Sequence, residues 1–363
     1  MARFTDVFED VTKQGTKIPT NRYLEKGAHP IIDQGQSEIA GYTNETDGLF
    51  TNVPAIIFGD HTRIIKYVDT PCFLGADGVK LLKAKDHKAN YKYLYYALCS
   101  ADIPNTGYNR HFKWLKEIEI PDYLEKEQNE IADQLEQIDF VTALRKQQLA
   151  KLDELVKSRF IELFGTIHDN KFGYEIKTLQ DVCEQIKDGT HQTPTYTEDT
   201  VNGYKFLSSK DVTTGIIDWN HLKYIPAELH KELYARIAPR KGDILLAKNG
   251  TTGIAAIVDR DEIFDIYVSL ALLRPIEINS VYLWAAINSV ETKQQFESSL
   301  KGIGVPNLHL GEIKKAKIIV PPKEEQKRFA AFVEQTDKSK LAIQESLAEL
   351  ETLKKALMQK YFG

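Results

Sequence analysis

The chain has 363 residues, a formal net charge of −5 and a hydrophobic content of 42%, which suits two or three globular domains of ordinary composition. No apolar run approaches the ~18 residues that a membrane span requires, and the charged start MARFTDVFED is not a signal peptide. Cys72, Cys99 and Cys183 are scattered, with no CxxC pair, so a disulfide framework and a zinc site are both excluded and a reducing cytoplasm is expected.

Residues 1–118 read as a first globular segment. β-branched runs bounded by turn residues predict strands in HPIIDQG (29–35), IAGYTN (39–44), VPAIIFGDHTRIIKYV (53–68) and GVKLLKA (78–84). An amphipathic helix, NYKYLYYALCS (90–100), follows, and then a polar loop, TGYNRHFKW (106–114). Residues 119–165 read as a long helix. They are rich in Ala, Leu, Glu, Gln and Lys and carry no proline beyond Pro121 at the start. Apolar positions alternate in steps of four and three through Ile131, Leu135, Ile138, Thr142, Arg145, Leu149, Leu152, Val156, Arg159 and Leu163, which is a coiled-coil seam with polar interruptions. Gly165 stops the helix.

Residues 166–316 repeat the plan. Strands are expected in YKFLSS (204–209), GDILLAKNGTTGIAAIVD (242–259) and VSLALLRP (268–275), and a helix in SVYLWAAINSV (280–290). Residues 317–363 form a second long helix after Pro321–Pro322, with its seam at Phe329, Val333, Thr336, Lys340, Ile343, Leu347, Leu350, Lys354, Leu357 and Tyr361. The two helical stretches align without a gap at an offset of 198, with 12 of 38 positions identical, Gln128/Gln326 and Asp139/Asp337 among them. The short helices correspond too: Tyr93, Leu94, Ala97 and Ser100 match Tyr282, Leu283, Ala286 and Ser289. The openings FTDVFEDVT (4–12) and LQDVCEQIK (179–187) are alike as well. One domain-plus-helix unit is therefore used twice. About 40 helical residues span roughly 60 Å, and so long a half-apolar helix needs a partner, for which its own copy is the nearest candidate. Residues 119–165 hold 6 Lys/Arg against 11 Asp/Glu (−5), and residues 317–363 hold 9 against 7 (+2), which suits pairing of the two helices. Residues 1–118 (15 against 14) and 166–316 (17 against 20) are near balance, so any DNA binding must draw on local basic patches or a partner.

Several stretches in this order resemble the specificity (S) subunits of type I restriction–modification systems: GDILLAKNGTTGIAAIV, GIGVPNLHLGEIKKAKIIVPPKEEQKRF, EIPDYLEKEQNEIADQLEQID and FGDHTRIIKYVDTPCFLGADGVKLL. The resemblance covers nearly the whole chain. It implies an α+β architecture in which two mixed α/β target recognition domains are joined by two long antiparallel coiled-coil helices with pseudo-twofold symmetry. It also implies that each domain reads one half of a bipartite, asymmetric site in double-stranded DNA. The helices would set the gap between half-sites and dock two methyltransferase (M) subunits, with restriction (R) subunits added in some complexes. S-adenosylmethionine, ATP and Mg would belong to those partner subunits, and no cofactor to this chain.

Candidate DNA contacts follow from residue chemistry. In the first segment they are Asn109, Arg110, His111 and Lys113, and His61 and Arg63 in the loop 59–63. Arg suits guanine, Asn adenine, and Lys phosphate. The plainer readings are a solvated polar loop and a turn in which Asp60 bonds its own backbone. In the second segment they are His191, Thr193 and Tyr196, then Lys210, then Lys248 and Asn249. The stretch 248–253 reads equally as a hairpin with a glycine bulge, and Asn307 and His309, after Gly302–Ile303–Gly304, as caps of the following helix. Leu135, Leu149, Leu152, Leu347, Leu350 and Leu353 are expected in the coiled-coil core. Phe140 and Phe160 lie off the seam and face either a partner helix or a second contact within the chain.

Catalytic signatures are missing. There is no (N/D)PP(Y/F) methyltransferase motif, since Pro321–Pro322 is flanked by Val and Lys, and no GxxxxGK[ST], GxSxG or HExxH. The chain alone is expected to be non-catalytic. A coiled-coil scaffold carrying two protein- or glycan-binding domains is the alternative, and the recognition half of a split nuclease a third reading.

Overall fold

The computed structural model describes residues 1–75, 77–300 and 307–363, and it divides into two units: Met1–Gln147 with Ile343–Gly363, and Gln148–Ala342. Each long helix, Glu125–Phe164 and Lys323–Phe362, contributes one part to each unit.

The first unit holds an antiparallel sheet in the order Phe8–Asp10, Val79–Ala84, Ala55–Gly59, Ile65–Val68. A smaller sheet runs Gly41–Thr43, His29–Ile32, Phe73–Leu74, its first pair antiparallel and its second parallel. Ala2–Arg3 pairs with Glu119–Ile120. The second unit repeats this order strand for strand. Its larger sheet is Cys183–Asp188, Leu270–Pro275, Ile244–Ala247, Ala255–Ile257. Its smaller one is Lys223–Ile225, Tyr204–Leu207, Phe264–Ile266, again antiparallel then parallel. Glu175–Thr178 pairs with Lys317–Val320. The matching openings each become one helical turn feeding an edge strand, Phe4–Val7 into Phe8–Asp10 and Leu179–Val182 into Cys183–Asp188.

The residues shared by the two halves make the same bonds. Asn90 caps the helix Tyr91–Cys99 by accepting from Tyr93 N, and Asn279 caps Ser280–Asn288 by accepting from Val281 N and Tyr282 N. Such a cap satisfies amides that the helix cannot pair itself. From these helices the Tyr93 hydroxyl donates to the Pro121 carbonyl (2.6 Å) and the Tyr282 hydroxyl to the Ile319 carbonyl. At the long helices, Gln128 Nε2 donates to the Tyr123 carbonyl (2.8 Å) and Gln326 Nε2 to the Pro321 carbonyl (2.7 Å). In both pairs of bonds the acceptors are 198 positions apart, so the sequence identities of the repeat fix how each long helix leaves its globular body.

The predicted seam is the covered side of both helices. All twenty seam residues are buried or half-buried, from Ile131 to Leu163 and from Phe329 to Tyr361. In the first unit Gln134 meets Tyr361 (3.1 Å) and Asp139 meets Lys354 (2.5 Å). In the second, Asp153 meets Lys340 (2.7 Å) and Phe164 packs edge-on to Phe329, ring centroids 5.6 Å apart. Numbers rise along one helix as they fall along the other, so the pairing is antiparallel within each unit. In each ion pair the acid is on the first helix and the lysine on the second, the charge division read in the sequence. Leu353 departs from expectation. It is 48% exposed and borders an open groove with Gln137, Val141 and Leu350, one position beyond the side that faces the partner helix. Phe160 packs inward against Phe164, Tyr282 and Phe329, whereas Phe140 is 63% exposed.

The globular bodies close over the helix starts. In the first unit, Phe4, Phe58, Tyr93, Leu98 and Leu115 share a core with Ile131 and Leu135. In the second, Leu179, Ile244, Leu273 and Tyr282 share one with Phe164, Phe329 and Val333. Among the described residues no helix is long and apolar enough to cross a membrane. Phe329→Ala empties a fully buried site beside the rings of Phe160 and Phe164 and should cost about 3–5 kcal/mol in denaturant unfolding. Leu353→Ala, at the exposed groove, should cost about 1 kcal/mol or less.

Candidate nucleic-acid interface

In each unit the loops leaving one end of the sheets are tied into a single cluster by backbone and side-chain bonds. In the first unit, Asp60 follows the strand Ala55–Gly59 and is buried. Its amide donates to the Gly78 carbonyl (2.6 Å), and its own carbonyl accepts the His111 amide (2.8 Å). Its carboxylate accepts the Phe112 amide (2.7 Å), an orphan donor at the start of the turn Phe112–Leu115. Gln34 joins a third loop, accepting from His61 N (3.1 Å) and donating to the Asp77 carbonyl (3.0 Å). The loops at 34, 59–63, 77–78 and 106–111 thus form one surface.

The second unit ties the equivalent loops at equivalent points. Lys248 N donates to the Ser269 carbonyl (2.9 Å), and Leu308 N donates to the Lys248 carbonyl (2.8 Å). The Ser269 hydroxyl accepts Ser209 N (2.9 Å). Lys248 therefore stands where the first unit has Asp60, and Ser269 where it has Gly78. The frame is the same and the chemistry carried on it is different.

Of the first-unit candidates, Asn109, Arg110 and Lys113 are exposed, with the Lys113 ammonium 4.0 Å from the Trp114 ring. His61 is half-buried, and its Nδ1 lies 3.2 Å from the Asn109 carbonyl. Arg63 sits at φ 63° and turns its guanidinium onto the Ile103 carbonyl (3.0 Å), which commits it to the loop. His111 differs from the expectation of a surface contact. It has no exposed area, its Nδ1 donates to the Asp60 carbonyl (3.0 Å), and Nε2 faces the Thr106 hydroxyl (3.4 Å). Asp60 likewise bonds the neighbouring loop, where a self-contained turn was the plainer reading.

Of the second-unit candidates, His191, Thr193, Tyr196 and Lys210 are exposed, and the Lys223 ammonium lies 4.2 Å from the Tyr196 ring. The loop that carries them starts at Gly189, where a Cβ would fall 2.0 Å from the Ile266 carbonyl oxygen, so only glycine fits there. Lys248, expected at the surface, is buried, and its ammonium is held by Asp188 (2.9 Å). Asn249 is half-buried and forms a bridge with Asn307. Gly302–Ile303–Gly304 lie outside the described residues. Leu135, Leu149, Leu152, Leu347 and Leu350 line the helix seam as described above.

Residues that sequence reasoning missed hold these loops in place. The Asp188 carboxylate collects Lys248, His191 Nε2 (3.2 Å) and the Arg236 guanidinium (3.9 Å). Burial by itself would raise its pKa, but the Lys248 hydrogen bond and charge, helped by His191, hold it below the usual carboxylate range. Arg236 also donates to the Gly189 carbonyl (2.6 Å) from the helix Ala227–Arg236. That helix is pinned by His230, whose Nδ1 lies 2.7 Å from Asp265 and whose ring stacks on Tyr204 at 3.6 Å. Burial lifts the Asp265 carboxyl to about 6 despite that contact. Among the described residues no group of three or more His, Cys, Asp or Glu could hold a metal ion.

Asp188→Ala leaves the Lys248 ammonium buried without its acid and should cost the second unit about 3 kcal/mol in denaturant unfolding. Lys248→Met, which removes the buried charge as well, should cost markedly less. Because the Asp188 pKa is lowered on folding, its contribution is in place above the ordinary carboxylate value and is lost as pH falls through the lowered one. The difference between wild type and Asp188→Ala should accordingly narrow below about pH 4.

The model of the Type I restriction modification DNA specificity domain matches residues 1–154 and again 172–353. The specificity subunit of the Escherichia coli type I restriction enzyme EcoR124I/EcoR124II is 26% identical over 368 residues, spanning 93% of this chain and 87% of its own length. The EcoBI specificity subunit, also from Escherichia coli, is 28% identical over 171 residues, 46% of this chain and 36% of its own. Among solved structures, the S subunit of a type I restriction–modification system from M. genitalium aligns with a TM-score of 0.59 at 17% identity, covering 100% of this chain and 99% of that one. A chain from a study of complex assembly and conformational transition of the type I R-M system aligns at 0.58 and 18% identity, covering 99% and 95%. At these identities the structures share the fold.

Proposed function

Because the chain belongs to the family of type I restriction modification DNA specificity domains, we propose that it is the DNA-reading subunit of a type I restriction–modification complex and reads a bipartite site of two unlike halves. Residues 1–118 and 166–316 are the two readers. Residues 119–165 and 317–363 are the struts between them, and they dock two methyltransferase subunits and, where present, restriction subunits. Methylation and cleavage belong to those partners, which bring S-adenosylmethionine, ATP and Mg, while this chain supplies recognition.

The observation that carries this reading is the duplication of the unit down to strand order, with dissimilar groups at equivalent loop positions. The same strand order bearing Asp60 and Gly78 in one copy and Lys248 and Ser269 in the other fits two readers of different sequences. Exposed donors sit on the clustered loops of both: Asn109, Arg110 and Lys113 in the first, His191, Thr193 and Lys210 in the second. The acidic balance of the whole chain leaves much of the phosphate neutralisation to partner subunits. Phe140, Val141 and Leu144 on the first long helix are exposed apolar residues and supply a face for such a partner.

Selection from a random duplex pool by the chain assembled with its modification subunits tests the proposal. Two short, unlike sequences separated by a gap of fixed length are expected. Enrichment of nothing would favour the protein- or glycan-binding scaffold, and cleavage of duplexes by the chain alone would favour a nuclease.

A further inference from the structure

Tyr108 is 88% exposed, on the loop that His111 ties to Asp60. Gly107 takes φ 76°, although a Cβ there would meet nothing within 4 Å, so glycine is needed for the backbone conformation and not for space. The Asn109 amide donates to the Gly107 carbonyl (2.8 Å), and Asn109 Nδ2 donates to the Thr106 carbonyl (2.5 Å). The next residues are anchored through His111 to Asp60. The phenol ring lies flat on His61, centroids 4.6 Å apart and planes 7° from parallel. His61 is itself held by the Asn109 carbonyl and by Gln34. One face of the ring is therefore propped and the rest left to solvent. An exposed apolar ring fixed in this way gains little from burial within its own chain, and the loss of its rotamer freedom is uncompensated there.

The surroundings specify the missing partner. Arg110 is exposed on the same loop and Lys113 on the helical turn that follows it, and Lys17 pairs with Asp77 (3.0 Å). Arg110 and His61 both lie close enough to help Lys17 keep the Asp77 carboxyl below its ordinary pKa. A propped aromatic ring next in sequence to exposed cations suits nucleic acid, with the cations on phosphate and the ring on a base. We propose that Tyr108, carried on His61, makes a direct apolar contact with a base of the half-site read by the first unit. This rests on the DNA-reading function proposed above and adds to it a base contact made by a ring and not by a hydrogen bond. Arg110 then serves as the neighbouring phosphate contact.

The test uses the full chain assembled with its modification subunits and the duplex that the wild-type assembly selects. Tyr108→Ala should weaken binding to that duplex roughly ten- to a hundredfold and relax the selected sequence in one half only. Tyr108→Phe should stay within about twofold, since the ring is kept. The dependence of log Kd on log salt should keep its slope in Tyr108→Ala and lose about one unit in Arg110→Ala, because only the latter releases a phosphate counterion. An unchanged thermal midpoint shows that Tyr108→Ala is folded. Wild-type affinity and selection in Tyr108→Ala, or an equal loss on selected and random duplexes, overturns the base contact and leaves the DNA-reading function standing. Failure of the wild-type assembly to select any sequence removes that function instead.

Discussion

A 40-residue helix with an apolar stripe cannot stand in water by itself; its stability must come from whatever covers the stripe. Two such helices occur in this chain, and almost everything else in the fold answers to that demand. Each begins under a globular body, where Ile131 and Leu135 or Phe329 and Val333 join the domain core. Beyond that point the seam narrows and becomes partly polar, with Thr142, Arg145 and Lys340 at positions an ordinary coiled coil would give to leucine. There the opposite helix takes over, and the pairs Asp139–Lys354 and Asp153–Lys340 favour an acidic strand against a basic one. A second copy of the first helix would place Val156 and Thr142 where Lys354 and Lys340 stand and leave both acids without a lysine, so the second helix is the better partner for the first.

The duplicated bonds show what the repeat preserves. The twin tyrosines, glutamines and asparagines all act where the short helix, the strand before the long helix and the long helix itself meet. None of them lies in the loops. The junction sets the direction in which each helix leaves its domain, and two different loop sets can be carried on it without disturbing that direction. Divergence in the loops with constancy at the junction is what a pair of unlike readers on one strut design requires.

Much of this was legible in the sequence because it is periodic or local. Steps of four and three named the seam residues correctly, β-branched runs located the strands at 55–59, 79–84, 244–247 and 270–275, and proline and glycine marked the helix ends. What escaped depends on distant partners. Nothing near Lys248 in sequence announces Asp188, 60 residues earlier, so a buried lysine read as a surface contact; His111 was misplaced for the same reason, its partner Asp60 lying 51 positions away. The helix Ala227–Arg236 was invisible because none of its residues is buried and it is anchored by a histidine and an arginine, not by an apolar stripe. Leu353 shares the leucine-rich composition of its neighbours, and only the partner helix decides which side of it is covered.

The claim on which the account stands is that helix length sets the distance between the sequences read. Seven residues inserted after Gln147 and seven after Ala342 keep both seams in register and add about 10 Å of helix, about three base pairs of duplex. Methylome sequencing of cells carrying this variant should return the same two half-sites with a gap longer by about that amount. Retention of both half-sites with the original gap would contradict it.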